Sequence, residues 1–109
     1  MELIKFEDFQ KIELKIAKVL EASQVEGSDK LLKLKVSLGE AGERQIIAGI
    51  GKSYEPDFLI GKEVAIVANL EPRMLMGLES QGMILAAKGE AGPIVLFPEK
   101  EVSPGATIS

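Results

Sequence analysis

Two side-chain types that carry much of protein chemistry are missing from this chain: it has no Cys and no His. Their absence removes disulfides, thiolate nucleophiles, imidazole acid–base catalysis and the usual zinc ligand sets together. Lys, Ser and carboxylate chemistry remain. A Ser becomes a nucleophile only beside a group that activates it. None of the seven Ser residues has a recognisable partner, so they read as turn and surface positions. With no acid–base constellation, an enzyme is the class the residues support least, and no cofactor or metal is expected.

The residues suited to recognition are elsewhere. In "KLLKLKVSLG" (30–39), Lys33 and Lys35 alternate with Leu32, Leu34 and Val36, so both cations share one face of a strand. That face is either a solvated exterior or a ligand surface. A second cluster lies in "NLEPRMLMGLESQGMILAA" (69–87). Arg73 has the fork geometry for phosphate, and Ser80 and Gln81 offer both donors and acceptors. Asn69 fits a strand-end turn as well as a contact. Gly82 suggests a bulge or a close backbone approach. Met83, taken alone, reads first as a core strand residue. Met74, Leu75, Met76 and Leu78 are unusually apolar for a connecting loop, which suggests leucines in the core and at least one exposed, adaptable Met.

Composition bounds what these residues can do. The chain has 109 residues, 46% hydrophobic and 28% charged, which suits one globular domain spanning 1–109 with a modest core. No window approaches the ~18–20 apolar residues of a membrane span. The start "MELIKFEDFQK" lacks the basic, apolar and small-residue regions of a signal peptide, so a cytoplasmic protein is expected. Net charge is −4, whereas a generic nucleic-acid binder is basic. Any such role therefore rests on a local patch. Residues 1–39 balance seven Lys against seven acids, and residues 40–109 set six basic residues against ten acids.

The elements that must position these side chains are mostly strands. "FEDFQKI" (6–12) places Phe6, Phe9 and Ile12 on one helical face. "ELKIAKVLEAS" (13–23) reads as a strand whose apolar phase changes between Ile16 and Ala17, which suggests a bulge or a sharp coil. Further strands are expected over 30–39, 44–51, 63–70, 80–87 and 93–98. "KSYEPDFLIGK" (52–62) predicts a short helix entered at Pro56 and stopped at Gly61. The tail "EKEVSPGATIS" reads as irregular. Short strands with one small helix after the third outline an all-β, five-stranded OB-fold barrel with N- and C-terminal extensions.

Several spaced segments then point to one family. "EGSDKLLKL", "AGI" followed by "Y.P..LIGK", and "VANL.PR..MG..SQGM" occur in order, with "VSPGATIS" closing the chain. Together they resemble, over nearly the whole length, the tRNA-binding OB domain of methionyl-tRNA synthetase C-termini. Free-standing bacterial tRNA-binding proteins and the endothelial monocyte-activating polypeptide branch share that domain. The resemblance implies a noncatalytic homodimeric module that binds the outer corner of folded tRNA. Carried across by position, it implies a tRNA surface on Lys33, Lys35, Asn69, Arg73, Ser80, Gln81 and Met83. Family members often carry Arg at the position of Lys15, and Lys or Arg at that of Met74. A methionyl-tRNA synthetase catalytic domain is an implied partner.

The terminal segments bear on assembly. Leu3, Ile4, Phe6, Phe9, Val102 and Ile108 exceed what a small barrel can bury alone, so a twofold interface is expected there. Aromatic residues are few, with no Trp, Tyr54 alone and four Phe (6, 9, 58, 97), most in segments that look core-facing. Without a stacking platform, recognition of folded RNA by shape fits better than capture of single strands. The alternative is a secretion chaperone on the same dimeric OB scaffold, gripping unfolded chains through apolar side chains.

Overall fold

The computed structural model describes residues 1–109. A short helix α1 (Phe6–Gln10) precedes β1 (Leu14–Gln24), the longest strand. β2 (Leu32–Ser37) and β3 (Glu43–Ala48) follow, then α2 (Pro56–Leu59) and β4 (Glu63–Val67). The remaining strands are short: β5 (Arg73–Leu75), β6 (Leu78–Ser80), β7 (Met83–Ile84), β8 (Ala86–Gly89), β9 (Gly92–Val95) and β10 (Thr107–Ile108). The main sheet runs β3-β2-β1-β4-β7, and β10 joins the start of β1. This is the five-stranded, nearly closed antiparallel barrel that the strand pattern predicts, with α2 between β3 and β4. Pro56 opens α2, and the helix buries Leu59 completely.

Strand periodicity explains the core. On β2, Leu32, Leu34 and Val36 are fully buried, while Lys33 and Lys35 stand in solvent. They pack with Ala17, Val19, Ile46, Val64 and Ile66 from β1, β3 and β4. The phase change in β1 has another cause than the one expected. Ala17 and Val19 face the core, whereas Leu14 and Ile16 lie on the outer face, opposite Val67 and Ala65 of β4. Ile16, Ala65 and Val67 are nearly buried too, so the strands are apolar on both sides at this end. The register shift comes later, between Val19 and Glu21.

The barrel closes through side chains. β3 pairs with β2 on one edge, and its other edge meets residues 79–82. Gln45 N–H donates to Gln81 Oε1 (2.9 Å), and Gln81 N–H donates to Gln45 O (2.7 Å). Ile47 N–H donates to the Ser80 hydroxyl (2.9 Å), which donates onward to Gly82 O (3.0 Å). Gln45 Nε2 reaches Glu79 O (2.8 Å), and the Arg44 guanidinium reaches Ala68 O (2.7 Å) and Gln81 O (3.2 Å). Gly82 has φ +147°, and a Cβ there would stand 3.0 Å from Val67 O. A side chain would force the two backbones apart at this seam.

Residues 73–80 form a hairpin where a loop is the simpler expectation. Leu75 and Leu78 pack on Val25, Leu31 and Ile47, a small cluster outside the barrel core. Met74 and Met76 stay exposed. The two-residue turn is Met76-Gly77, both with positive φ (+50° and +80°), as a type I′ hairpin requires. Met76 is the chain's single non-glycine residue with positive φ. Asn tolerates that conformation better than Met. Met76→Asn should therefore stabilise the fold by about 0.5–1 kcal/mol, measured by urea unfolding. A loss of stability would show that the Met side chain itself holds the turn.

Candidate nucleic-acid interface

A surface groove runs across β1, β2 and β3, lined by Glu21, Lys33, Lys35, Glu43, Gln45 and Gln81 among others. Strand alternation puts both lysines on it. Lys35 is held by two carboxylates, Glu43 at 3.3 Å and Glu21 at 3.7 Å, one from each neighbouring strand. The Glu43 hydrogen bond and charge, with the Glu21 charge, raise the Lys35 pKa above the ordinary 10.5. Lys33 makes no ion pair within 4.0 Å and is the groove's free lysine. Arg44 also borders the groove, so three cations face two carboxylates there, against the chain's net −4.

Of the other expected contacts, Gln81 lines this groove, whereas Asn69, Arg73, Ser80 and Met83 do not. Arg73 is exposed on β5, directly opposite Ser80 of β6. Met83, on β7 and opposite Val67 of β4, is 44% exposed, so it is a surface residue and not part of the core. Gln81 is half-buried in the seam. Asn69 is exposed but carries structure: its Oδ1 accepts from Glu13 N–H (2.8 Å) and its Nδ2 donates to Lys11 O (2.6 Å). Those bonds tie the segment after α1 to the end of β4.

Ser80 corrects the expectation of a hydroxyl facing RNA. It is the one buried polar residue, 4% exposed, and its oxygen already accepts from Ile47 and donates to Gly82. A strand that turns inward to close a barrel brings its polar residue into the seam. Arg44 and Gln45, which are not singled out in the sequence, are the partners that make this seam. Their only signal is that they sit among the three polar residues that open an otherwise apolar strand, "ERQIIA".

The aromatic residues also differ from expectation. Phe6 (70%), Phe58 (49%) and Phe97 (41%) are exposed. Tyr54 stacks on Phe58 with ring centroids 5.9 Å apart, Phe97 lies 6.3 Å from Phe58, and Lys62 Nζ sits 4.6 Å over the Phe58 ring. A four-residue helix buries only Leu59 and leaves its neighbour Phe58 outside. Tyr54 OH accepts from Val95 N–H (3.0 Å), which fixes the cluster to β9.

An OB-type barrel whose mixed-charge groove lies on the β1–β3 face is the architecture of a ligand-binding OB module. The match to known proteins is specific. The family model described as "Putative tRNA binding domain" covers residues 14–107, and this chain belongs to that tRNA-binding family. The methionine–tRNA ligase of Caldanaerobacter subterraneus subsp. tengcongensis is 52% identical over the full chain, and that of Methanococcus aeolicus is 53% identical over 99% of it. The chain spans only 17% and 16% of those two proteins. Among solved structures, a MetRS-related protein from Pyrococcus horikoshii superposes with TM-score 0.93 at 36% identity, each chain fully covered. The chaperone CsaA from Bacillus anthracis superposes with TM-score 0.90 at 30% identity, over 99% of this chain and all of that one. No helix is long and apolar enough to cross a membrane.

The ion pairs give a pH signature. A lysine pKa raised by folding favours the folded state below the unfolded value, and that contribution is lost as pH rises through the raised value. Followed by NMR, the Lys35 ammonium should titrate above 10.5. Glu43→Gln should move its midpoint back toward 10.5, and no movement would mean that the pair does not persist in solution.

Proposed function

We propose that residues 1–109 form one noncatalytic tRNA-binding domain that reads the outer corner of folded tRNA by shape. The observation that carries this reading is the unpaired Lys33 on the groove face, with Arg73 exposed on the adjoining hairpin. Lys33, Lys35 and Arg73 supply phosphate contacts, Gln81 supplies a polar contact in the groove, Asn69 offers the second N–H and lone pair that its bonds to Lys11 and Glu13 leave free, and the exposed Met83 packs on a sugar or base. The domain works in the cytoplasm, alone or appended to a methionyl-tRNA synthetase catalytic domain. Phosphate contacts carry no sequence information, so the anticodon is not read.

The domain acts as a homodimer. Leu3 and Ile4 are 85% and 67% exposed; Phe6 and Val102 are exposed as well, and Phe9 and Ile108 are half-buried. They belong to the segments flanking the barrel: Ile108 pairs with Leu14 at the start of β1, and Val102 is bonded to Glu63 at the other end of the β1–β4 ladder. Exposed apolar segments of this kind suit a twofold interface. Light scattering should give about twice 11.7 kDa. A monomer at tens of micromolar would refute the interface.

Binding of bulk tRNA should weaken with salt, with a log–log slope of about −2 to −5 for roughly 3–5 contacted phosphates. Lys33→Glu should weaken all tRNAs alike, and Lys33→Ala should reduce the slope by about one. Lys35 must leave its carboxylates to meet a phosphate, so Glu43→Gln should strengthen binding. A slope near zero, or preference for one anticodon, contradicts a shape-reading surface. A second reading, a chaperone for unfolded polypeptide, is favoured by the exposure of Met74 and Met76. Binding of a denatured protein in place of tRNA in the same mobility-shift assay would select it.

A further inference from the structure

Ser80 is buried, yet it lies between the two cations on which the proposed recognition depends. Lys33 of β2 is directly opposite Ile47 of β3. Ile47 N–H donates to Ser80 Oγ across the seam. Ser80 of β6 is directly opposite Arg73 of β5. Lys33, Ile47, Ser80 and Arg73 are thus linked one to the next across β2, β3, β6 and β5, although β5 and β6 form a sheet of their own. Between β2 and β3 and between β5 and β6 the linkage is held by regular backbone pairing. Between β3 and β6 it is held by a side-chain oxygen.

We infer that Ser80 is a positioning residue: its buried hydroxyl sets the interval between Lys33 and Arg73, so that both meet phosphates of one RNA. Gln45 supports the same junction one position along, through its Nε2 bond to Glu79 O. Its backbone faces Lys35 across β2 and β3, giving the second groove lysine the same tie to the hairpin. The leucine contacts of Leu75 and Leu78 hold the hairpin against the barrel but are not directional. Hydrogen bonds at the seam fix where along β3 it sits.

The inference rests on the tRNA-binding reading, and a double-mutant cycle separates the two. Affinity for bulk tRNA is measured for the full chain with Ser80→Ala, Arg73→Ala, both together, and Lys33→Ala. Arg73→Ala and Lys33→Ala should each cost about tenfold, as expected for a charged hydrogen bond. Ser80→Ala should approach the Arg73→Ala loss, and its salt slope should shrink by about one although no charge was removed. Adding Arg73→Ala to Ser80→Ala should then change little, because the contact is already lost. Hydrogen exchange should show the Ile47 amide losing protection in Ser80→Ala. Gln45→Ala, measured alongside, should reproduce the non-additivity if Ser80→Ala fails to fold. Losses that multiply, or Ser80→Ala with affinity and slope unchanged, overturn the positioning role while leaving tRNA binding intact. Lys33→Ala and Arg73→Ala without effect would overturn the tRNA reading and the inference together.

Discussion

The closure of the barrel along the free edge of β3 is the constraint on which the rest of the molecule depends. A sheet edge buried without partners leaves costly unsatisfied N–H and C=O groups. Here the Ser80 hydroxyl accepts from Ile47 N–H, and Gln81 meets both the N–H and the C=O of Gln45 with its carboxamide and backbone amide, while the Arg44 guanidinium of β3 donates to the facing carbonyls of Ala68 and Gln81. Every polar atom buried among the side chains finds a partner. Backbone pairing would demand a long, straight β6. Side-chain closure lets the chain bend at Gly82, leave one sheet and enter another within a few residues. The groove, the hairpin and the exposed Met83 follow from that bend.

Electrostatics on this surface favour discrimination over raw strength. The groove's cations are diluted by carboxylates on the neighbouring strands, and the chain as a whole is acidic. A uniformly basic surface would hold any polyanion through counterion release alone. An anion that approaches Lys35 competes with Glu21 and Glu43 for it.

Much of this was legible in the residues. The alternation in 30–39, the β-branched run in 63–70 and the Pro56–Gly61 bracket place β2, β4 and α2 because each is a local pattern with a local physical cause. Met76-Gly77 hides a hairpin because its turn chemistry is atypical: the usual Asn-Gly signal is replaced by a strained Met. The apolar phase of β1 suggests a bulge because periodicity cannot distinguish a twisted strand from one covered on both faces. The role of Ser80 was out of reach for a different reason. Its partner Ile47 is 33 residues away, and the bond is to a backbone amide, which leaves no trace in residue identity. The aromatic cluster of Tyr54, Phe58 and Phe97 joins residues that no spacing rule relates.

The pairing of β10 with the first residues of β1 has an architectural consequence. Leu14 and Ile108 face each other, so the chain enters and leaves the barrel side by side. The groove cations lie farther along, where β1 pairs with β2. A domain threaded this way can be spliced to a larger polypeptide through either end, or through both, without disturbing its recognition face. Circular permutation that joins the two ends and opens the chain at an exposed turn is open to it on the same geometric grounds. Such portability suits a module that makes up about a sixth of some long relatives and the whole length of a compact structural neighbour.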